Sequence, residues 1–315
     1  MNTLLGFAMG FGIVLLLFNV VMSVYSFILR RDVITAGGIM CRVLAVIVIL
    51  MAICIIYGTR FLFDEPMQRE FILAFLFVNV LYTVLLLWVH SEFSHMKHHA
   101  METLRTLIEV TELGDTNLDG HSIHVQNLTM AMYEYLPALM KLRINPENLR
   151  YASVLIDLGK LGIPRDILNR GGKLTGDEWS LVKRHPEIAA SILKRIGSFD
   201  EIADWIMYHH ERFDGTGYYK LKGNAIPLAS RVIAVGDTFS ALTMDRSYKA
   251  TLTYEEAIAE LKLVSGTQLD RELVDIFCSI PKSRIEECLN DVQRQMRIYG
   301  ELGLKNALKD SQKGD

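Results

Sequence analysis

Apolar and polar positions are distributed unevenly along the chain. Residues 1–29 contain no charged side chain, and the run closes at Arg30-Arg31. A second charge-free apolar run covers 43–59 and a third covers 71–91, ending before Glu92. A helix needs ~20 apolar residues to cross a bilayer, and a crossing segment must satisfy its own backbone hydrogen bonds. Membrane spans are therefore predicted over about 5–29, 41–59 and 71–90 within a region 1–92. The first run lacks the basic start and small-x-small cleavage site of a signal peptide. Arg30, Arg31 and Arg42 flank the first loop, and Lys97 and Arg105 follow the third span. In the second loop, Arg60 and Arg69 are offset by Asp64, Glu65 and Glu70. This basic bias predicts an outside N-terminus and a large C-terminal part in the cytoplasm. Asn19 and Asn79, polar residues inside spans, are expected to hydrogen-bond between helices.

From 93 to 115 the pattern turns polar with a helical period. Met101, Leu104, Ile108 and Thr111 recur at three- and four-residue spacing, predicting a connector helix that pairs with its copy in a homodimer. His95, His98 and His99 read as surface histidines beside the membrane. Over 116–288 the signals are helical again. Thr175 to Glu178 and Thr253 to Glu256 read as capping boxes, and Pro227 suits the start of the helix carrying Arg231 to Leu242. Apolar spacing recurs in Ile188, Ile192, Leu193 and Ile196, and in Ile202, Trp205 and Ile206. Strand-like alternation is scarce, so the expected class is all-α, a three-helix transmembrane segment followed by a helical domain. One irregular loop near 211–225 is rich in Gly, Asp and Tyr, and a tail is expected over 289–315.

Composition narrows the function. The 315 residues are 50% hydrophobic and 22% charged, which excludes a disordered chain and a small disulfide scaffold. A formal net charge of -3 provides no basic field for a nucleic-acid polymer. Cys41, Cys54, Cys278 and Cys288 show no C-x-x-C spacing and read as reduced packing residues.

Candidate chemistry lies in six residues, His121, Asp157, His185, His209, His210 and Asp237. Asp157 follows Val154-Leu155-Ile156, and Asp237 follows Val232-Ile233-Ala234-Val235-Gly236. A carboxylate buried in such a stretch needs a partner: a metal, an arginine or a helix N-terminus. Singly, each of the six is more often a satisfied structural residue. Together, imidazoles and carboxylates from several helices facing one interior look like a di-metal centre.

The surrounding segments carry a resemblance. They are His121-Ser122, Asp157 to Pro164, Lys183 to Glu187, His209 to Tyr219, Arg231 to Leu242, Arg246 to Lys249 and Ser265 to Asp270. In this order, over roughly 100–285, the chain resembles the HD-GYP family of the HD phosphohydrolase superfamily. The resemblance implies a bacterial signalling protein of the inner (cytoplasmic) membrane. It also implies a helical domain with one or two iron or manganese ions, and hydrolysis of the cyclic dinucleotide cyclic di-GMP. Carried over, His121 and Asp237 serve one metal, His185, His209 and His210 the other, and Asp157 bridges. Lys160 is expected to act with Asp157 in catalysis by neutralising phosphate charge. Arg246 and Lys249 are expected to grip substrate phosphates. Asp214 and Tyr218, in the glycine-rich loop, are expected on the substrate side.

The chain departs from the family pattern at several positions. Ile156 replaces the first residue of the His-Asp pair, leaving the first metal His121, Asp157 and Asp237. Tyr219, Ser240, Ser247 and His124 replace a Pro, an Asp, a Pro and an Arg. His124 lies three residues after His121, and a swing toward the metals is the lesser reading of it. Two readings follow: a membrane-anchored cyclic di-GMP phosphodiesterase weakened by Ile156, or an inactive cyclic-dinucleotide receptor.

Overall fold

A computed structural model describes residues 65–113, 120–168, 170, 172–196, 199–244 and 251–301. Its helices are α1 (Glu65–Leu113), α2 (His121–Tyr135), α3 (Ala138–Lys141), α4 (Pro146–Val154), α5 (Arg165–Leu168) and α6 (Gly176–Val182). They continue with α7 (His185–Ile196), α8 (Asp200–Met207), α9 (Leu228–Thr243), α10 (Tyr254–Leu263), α11 (Arg271–Ser279) and α12 (Lys282–Glu301). Short 3-10 turns occupy Leu158–Gly162 and Gly223–Ala225. Among the described residues no strand forms, and the β-type pairing is an isolated bridge between Ser265 and Leu269.

The chain divides into units 1–100 and 101–315. The first two expected spans lie outside the described residues. The third falls in α1, where Ile72, Phe75, Asn79 and Tyr82 are buried while Leu73, Phe77, Leu81, Val84 and Trp88 are exposed. Among the described residues no helix is long and apolar enough to cross a membrane; side chains of the apolar run are described without a break over 72–88. Asn79 donates through Nδ2 to Phe75 O of its own helix at 2.9 Å, whereas a bond to another helix was expected.

In the second unit, local chemistry sets the helix starts. The Asn145 side chain accepts from the amides of Glu147 and Asn148 ahead of Pro146, so α4 begins with its first donors satisfied. Thr175 and Thr253 each form the reciprocal capping box with Glu178 and Glu256. Pro227 is the residue before the first turn of α9. The core gathers on α2, which packs against α4, α9 and α12, while α7 packs on α8 and on the 3-10 turn Leu158–Gly162. Met101 and Ile108 of the connector are themselves buried in the chain. The boundary expected at 288 falls inside α12, and Val292 beyond it is buried. The expected stripe of α7 is also displaced: Ala189, Ala190 and Leu193 are buried, while Ile188 and Ile192 are half-buried.

Candidate metal centre

The side chains at issue come from the start of α2 (His121), the 3-10 turn after α4 (Asp157, Lys160), the start of α7 (His185), the turn after α8 (His209, His210) and the middle of α9 (Asp237). Gly159 permits this assembly. A Cβ there would stand 1.8 Å from the backbone oxygen of His185, so the turn reaches α7 only without a side chain.

His185, His209 and His210 offer ring nitrogens that all lie within 4.8 Å of one another. The rings stand 5.4, 5.0 and 3.9 Å apart between centroids. A carbonyl can only accept, so the Nδ1–H of His185 donates to Val182 O at 2.9 Å and that of His209 to Ile206 O at 2.6 Å. Each ring thereby keeps its Nε2 lone pair for a ligand. His185 Nε2 is buried and has no hydrogen-bond partner. An orphaned acceptor beside two more imidazoles fits a metal ion, because the missing bond is what a cation would supply. Burial pushes the His185 ring down to about 4 and, with the neighbouring His209, pushes His210 well below the ordinary imidazole value. Neutral imidazole is the form that binds a metal.

The other half is built on His121. Its Nε2 lies 3.2 Å from Asp237 Oδ1 and 4.0 Å from Asp157 Oδ2. Asp157 stands between the halves, with Oδ1 3.7 Å from His185 Nε2. Lys160 donates through Nζ to Asp157 Oδ2 at 2.8 Å. Burial opposes ionisation of Asp157, but the charges of Lys160, His185 and His121 outweigh it and hold the carboxyl well below its usual range. Asp237 is held low in the same way: burial opposes, and the His121 hydrogen bond and charge prevail. Two carboxylates and four imidazoles thus converge, a hard and borderline donor set suited to first-row divalent ions. Ile156, where a histidine would have added a nitrogen, is fully buried apolar core.

The other expected residues are Tyr218, Asp214, Arg246 and Lys249. Tyr218 packs against His210, with ring centroids 5.1 Å apart, and Lys183 Nζ stands 5.5 Å from the centroid of the Tyr218 ring. Asp214 has both its oxygens engaged inside the loop. Oδ1 accepts from Thr216 N and Thr216 Oγ1, and Oδ2 from Arg212 Nη2, which pulls its acid down to about 2. Gly215, at a φ of 86°, makes the turn that these bonds close. Glu211 is a brace for the same loop, accepting from the amides of Tyr219 and Leu221 at 2.5 and 2.6 Å. Arg246 and Lys249 lie outside the described residues.

Two residues were legible only as separate departures from the family pattern. Ser240 Oγ lies 2.9 Å from His121 Nδ1 and 3.0 Å from His124 Nδ1. His124 therefore does not join the cluster, and Ser240, on α9, is the partner that holds the His121 ring from behind. The sequence signal was weak: two substitutions 116 positions apart, neither informative without the other.

Comparison with known proteins identifies the family. A family model described as an HD domain matches residues 107–273. A cyclic di-GMP phosphodiesterase of Vibrio cholerae is 36% identical over 188 residues, covering 56% of this chain and 38% of that protein. A cyclic di-GMP phosphodiesterase of Thermotoga maritima is 32% identical over 206 residues, 64% of this chain and 54% of its own. The 3'3'-cGAMP-specific phosphodiesterase 2 of Vibrio cholerae is 38% identical over 134 residues, 42% of this chain and 26% of its own. The chain spans about half or less of the length of these relatives.

Proposed function

The chain belongs to the HD domain family, and from that premise we propose that it is a metal-dependent phosphodiesterase of the HD-GYP type that opens cyclic di-GMP. The observation that carries the reading is the orphaned His185 Nε2 beside His209 and His210, with Asp157 between this group and His121. Relatives named for cyclic di-GMP and 3'3'-cGAMP support a cyclic dinucleotide as the substrate class.

His185, His209 and His210 would hold one ion, His121 and Asp237 the other, and Asp157 both. Iron or manganese there supplies Lewis-acid charge to the phosphate and an activated nucleophile from water at neutral pH. Hydrolysis adds water across one phosphodiester and breaks its bond to the sugar oxygen. Lys160, positioned by Asp157, carries the positive charge that meets the extra negative charge on the phosphate. Tyr218 forms a wall for the nucleotide, while Arg246 and Lys249 grip its phosphates. With Ile156 in the His-Asp position, the His121 half has fewer ligands and turnover is slow.

Anchoring in the inner membrane through spans at about 5–29, 41–59 and 71–90, with the N-terminus outside, is supported by the charge-free runs and the basic bias. A homodimer through the connector is supported by the helical spacing of Met101, Leu104, Ile108 and Thr111, of which Met101 and Ile108 are buried and Leu104 half-buried.

The test is metal analysis of the purified full chain with turnover of cyclic di-GMP and 3'3'-cGAMP, alongside Asp157→Ala, His209→Ala and Ile156→His. Hydrolysis abolished by the first two and accelerated by the third is expected. A chain that carries two ions and cleaves neither dinucleotide refutes the enzyme. Ile156 itself favours a second reading, a receptor holding about one ion, which binds the dinucleotide and leaves it intact.

A further inference from the structure

Ser240, His121 and His124 are all buried, with relative exposures of 0%, 3% and 1%. A serine hydroxyl carries one proton and two lone pairs, so it can donate to one neighbouring ring while accepting from the other, or accept from both. Among the described residues these two rings are the hydrogen-bond partners of Ser240 Oγ, so its buried proton is satisfied when one Nδ1 is bare and the other carries a proton. If His121 carries its proton on Nε2, toward Asp237 Oδ1 at 3.2 Å, its Nδ1 accepts from Ser240. Ser240 then accepts from His124 Nδ1–H, and His124 Nε2 is a bare lone pair. If His121 Nε2 is instead a metal ligand, both hydrogen bonds reverse: His121 Nδ1–H donates to Ser240, Ser240 donates to His124 Nδ1, and His124 carries its proton on Nε2. Neither ring changes net charge. Among the described residues His124 Nε2 is buried without a hydrogen-bond partner, so it can end the chain in either state.

We propose that Ser240 and His124 are positioning residues for His121, a buried two-state relay that orients its ring and presents the Nε2 lone pair to the metal. The inference rests on the metal-dependent reading above. It assigns a joint role to two of the positions where the chain leaves the family pattern, 124 and 240, a neutral pair in contact through Ser240 Oγ. Loss of such an outer partner weakens metal binding by about 10–100-fold.

The test uses full-length protein labelled with 15N-histidine in nanodiscs, titrated with Zn2+ as a diamagnetic probe, with Mn2+ affinity measured in parallel. His124 is expected to switch from the Nδ1–H to the Nε2–H tautomer as Zn2+ binds. Ser240→Ala is expected to lower metal affinity about 10–100-fold, with Ser240→Thr, which keeps the hydroxyl, restoring most of it. A His124 tautomer unchanged through the Zn2+ titration overturns the relay, as does a folded Ser240→Ala chain with wild-type affinity. If Ser240→Ala fails to fold, the wild-type tautomer and the Thr variant still decide the matter. Normal metal switching without dinucleotide turnover removes the functional reading alone, whereas a wild-type chain that takes up no metal removes both.

Discussion

Both halves of the candidate centre and Lys160 converge on Asp157, so Asp157→Asn tests the arrangement with the least change of shape. In the metal-free chain the variant leaves Lys160 facing a neutral amide at the 2.8 Å contact. At that distance the Coulomb attraction is about 6 kcal/mol for an effective dielectric of ~20, and desolvation of the two charges offsets several kcal/mol of it. The net loss is then about 1.5–3 kcal/mol, the range for a hydrogen bond to a charged group. A loss of about 2 kcal/mol lowers the melting temperature by about 4–8 °C in a domain of this size. The pH dependence follows from the depressed carboxyl. An unfolded aspartate titrates near ~3.9, so the stabilisation is fully present above about pH 4 and is lost as pH falls toward the lower folded value. Urea unfolding of chelator-treated protein, followed through the buried Trp205, is expected to show a gap between wild type and variant. That gap stays constant from pH 7 to 5 and narrows below about pH 4. Metal affinity of the variant is expected to fall by at least about 10-fold. An Asn variant as stable as wild type at pH 7, or a gap that widens in acid, refutes the reasoning.

Other consequences are open to simpler measurements. Gly159→Ala forces a Cβ against the His185 backbone oxygen; a loss of about 1–3 kcal/mol or more, with weakened metal uptake, is expected from melts and metal analysis. Asp270→Ala breaks the buried ion pair with Arg231 and removes the cap that accepts from Glu272 N, costing about 3–5 kcal/mol by thermal unfolding. His124 is held at about 3 by burial, with the neighbouring His121 adding to it, so the unfolded chain takes up its proton first, near ~6.5. Metal-free stability accordingly falls as pH drops from about 6.5, and His124→Phe is expected to flatten that slope by up to about 1.4 kcal/mol per pH unit, read from urea unfolding at pH 7, 6 and 5.

What could be read along the chain is local or thermodynamically conspicuous. The capping boxes at Thr175 and Thr253 need only residues three apart, so their geometry is written in adjacent letters. Asp157 and Asp237 stood out because a carboxylate following apolar residues is costly unless partnered, and the histidines joined them as donors of the same chemistry. The helical class followed from the periodicity of the apolar positions.

The rest depended on distance in space. Ser240 meets His121 across 119 positions, and no local pattern relates one helix's hydroxyl to another helix's ring. The acceptors that set the tautomers, Val182 O and Ile206 O, are backbone atoms that every residue type offers. On α7 the apolar period marked a face but not its centre. Packing of the 3-10 turn moved burial to Ala189, whose amide nitrogen would stand 2.9 Å from a Cβ at Gly159, because close backbone approach favours small side chains over the larger isoleucines beside them. Sequence periodicity thus specifies which residues can be buried, whereas the identity of the neighbour, and with it the proton on each imidazole, arises only when the helices meet.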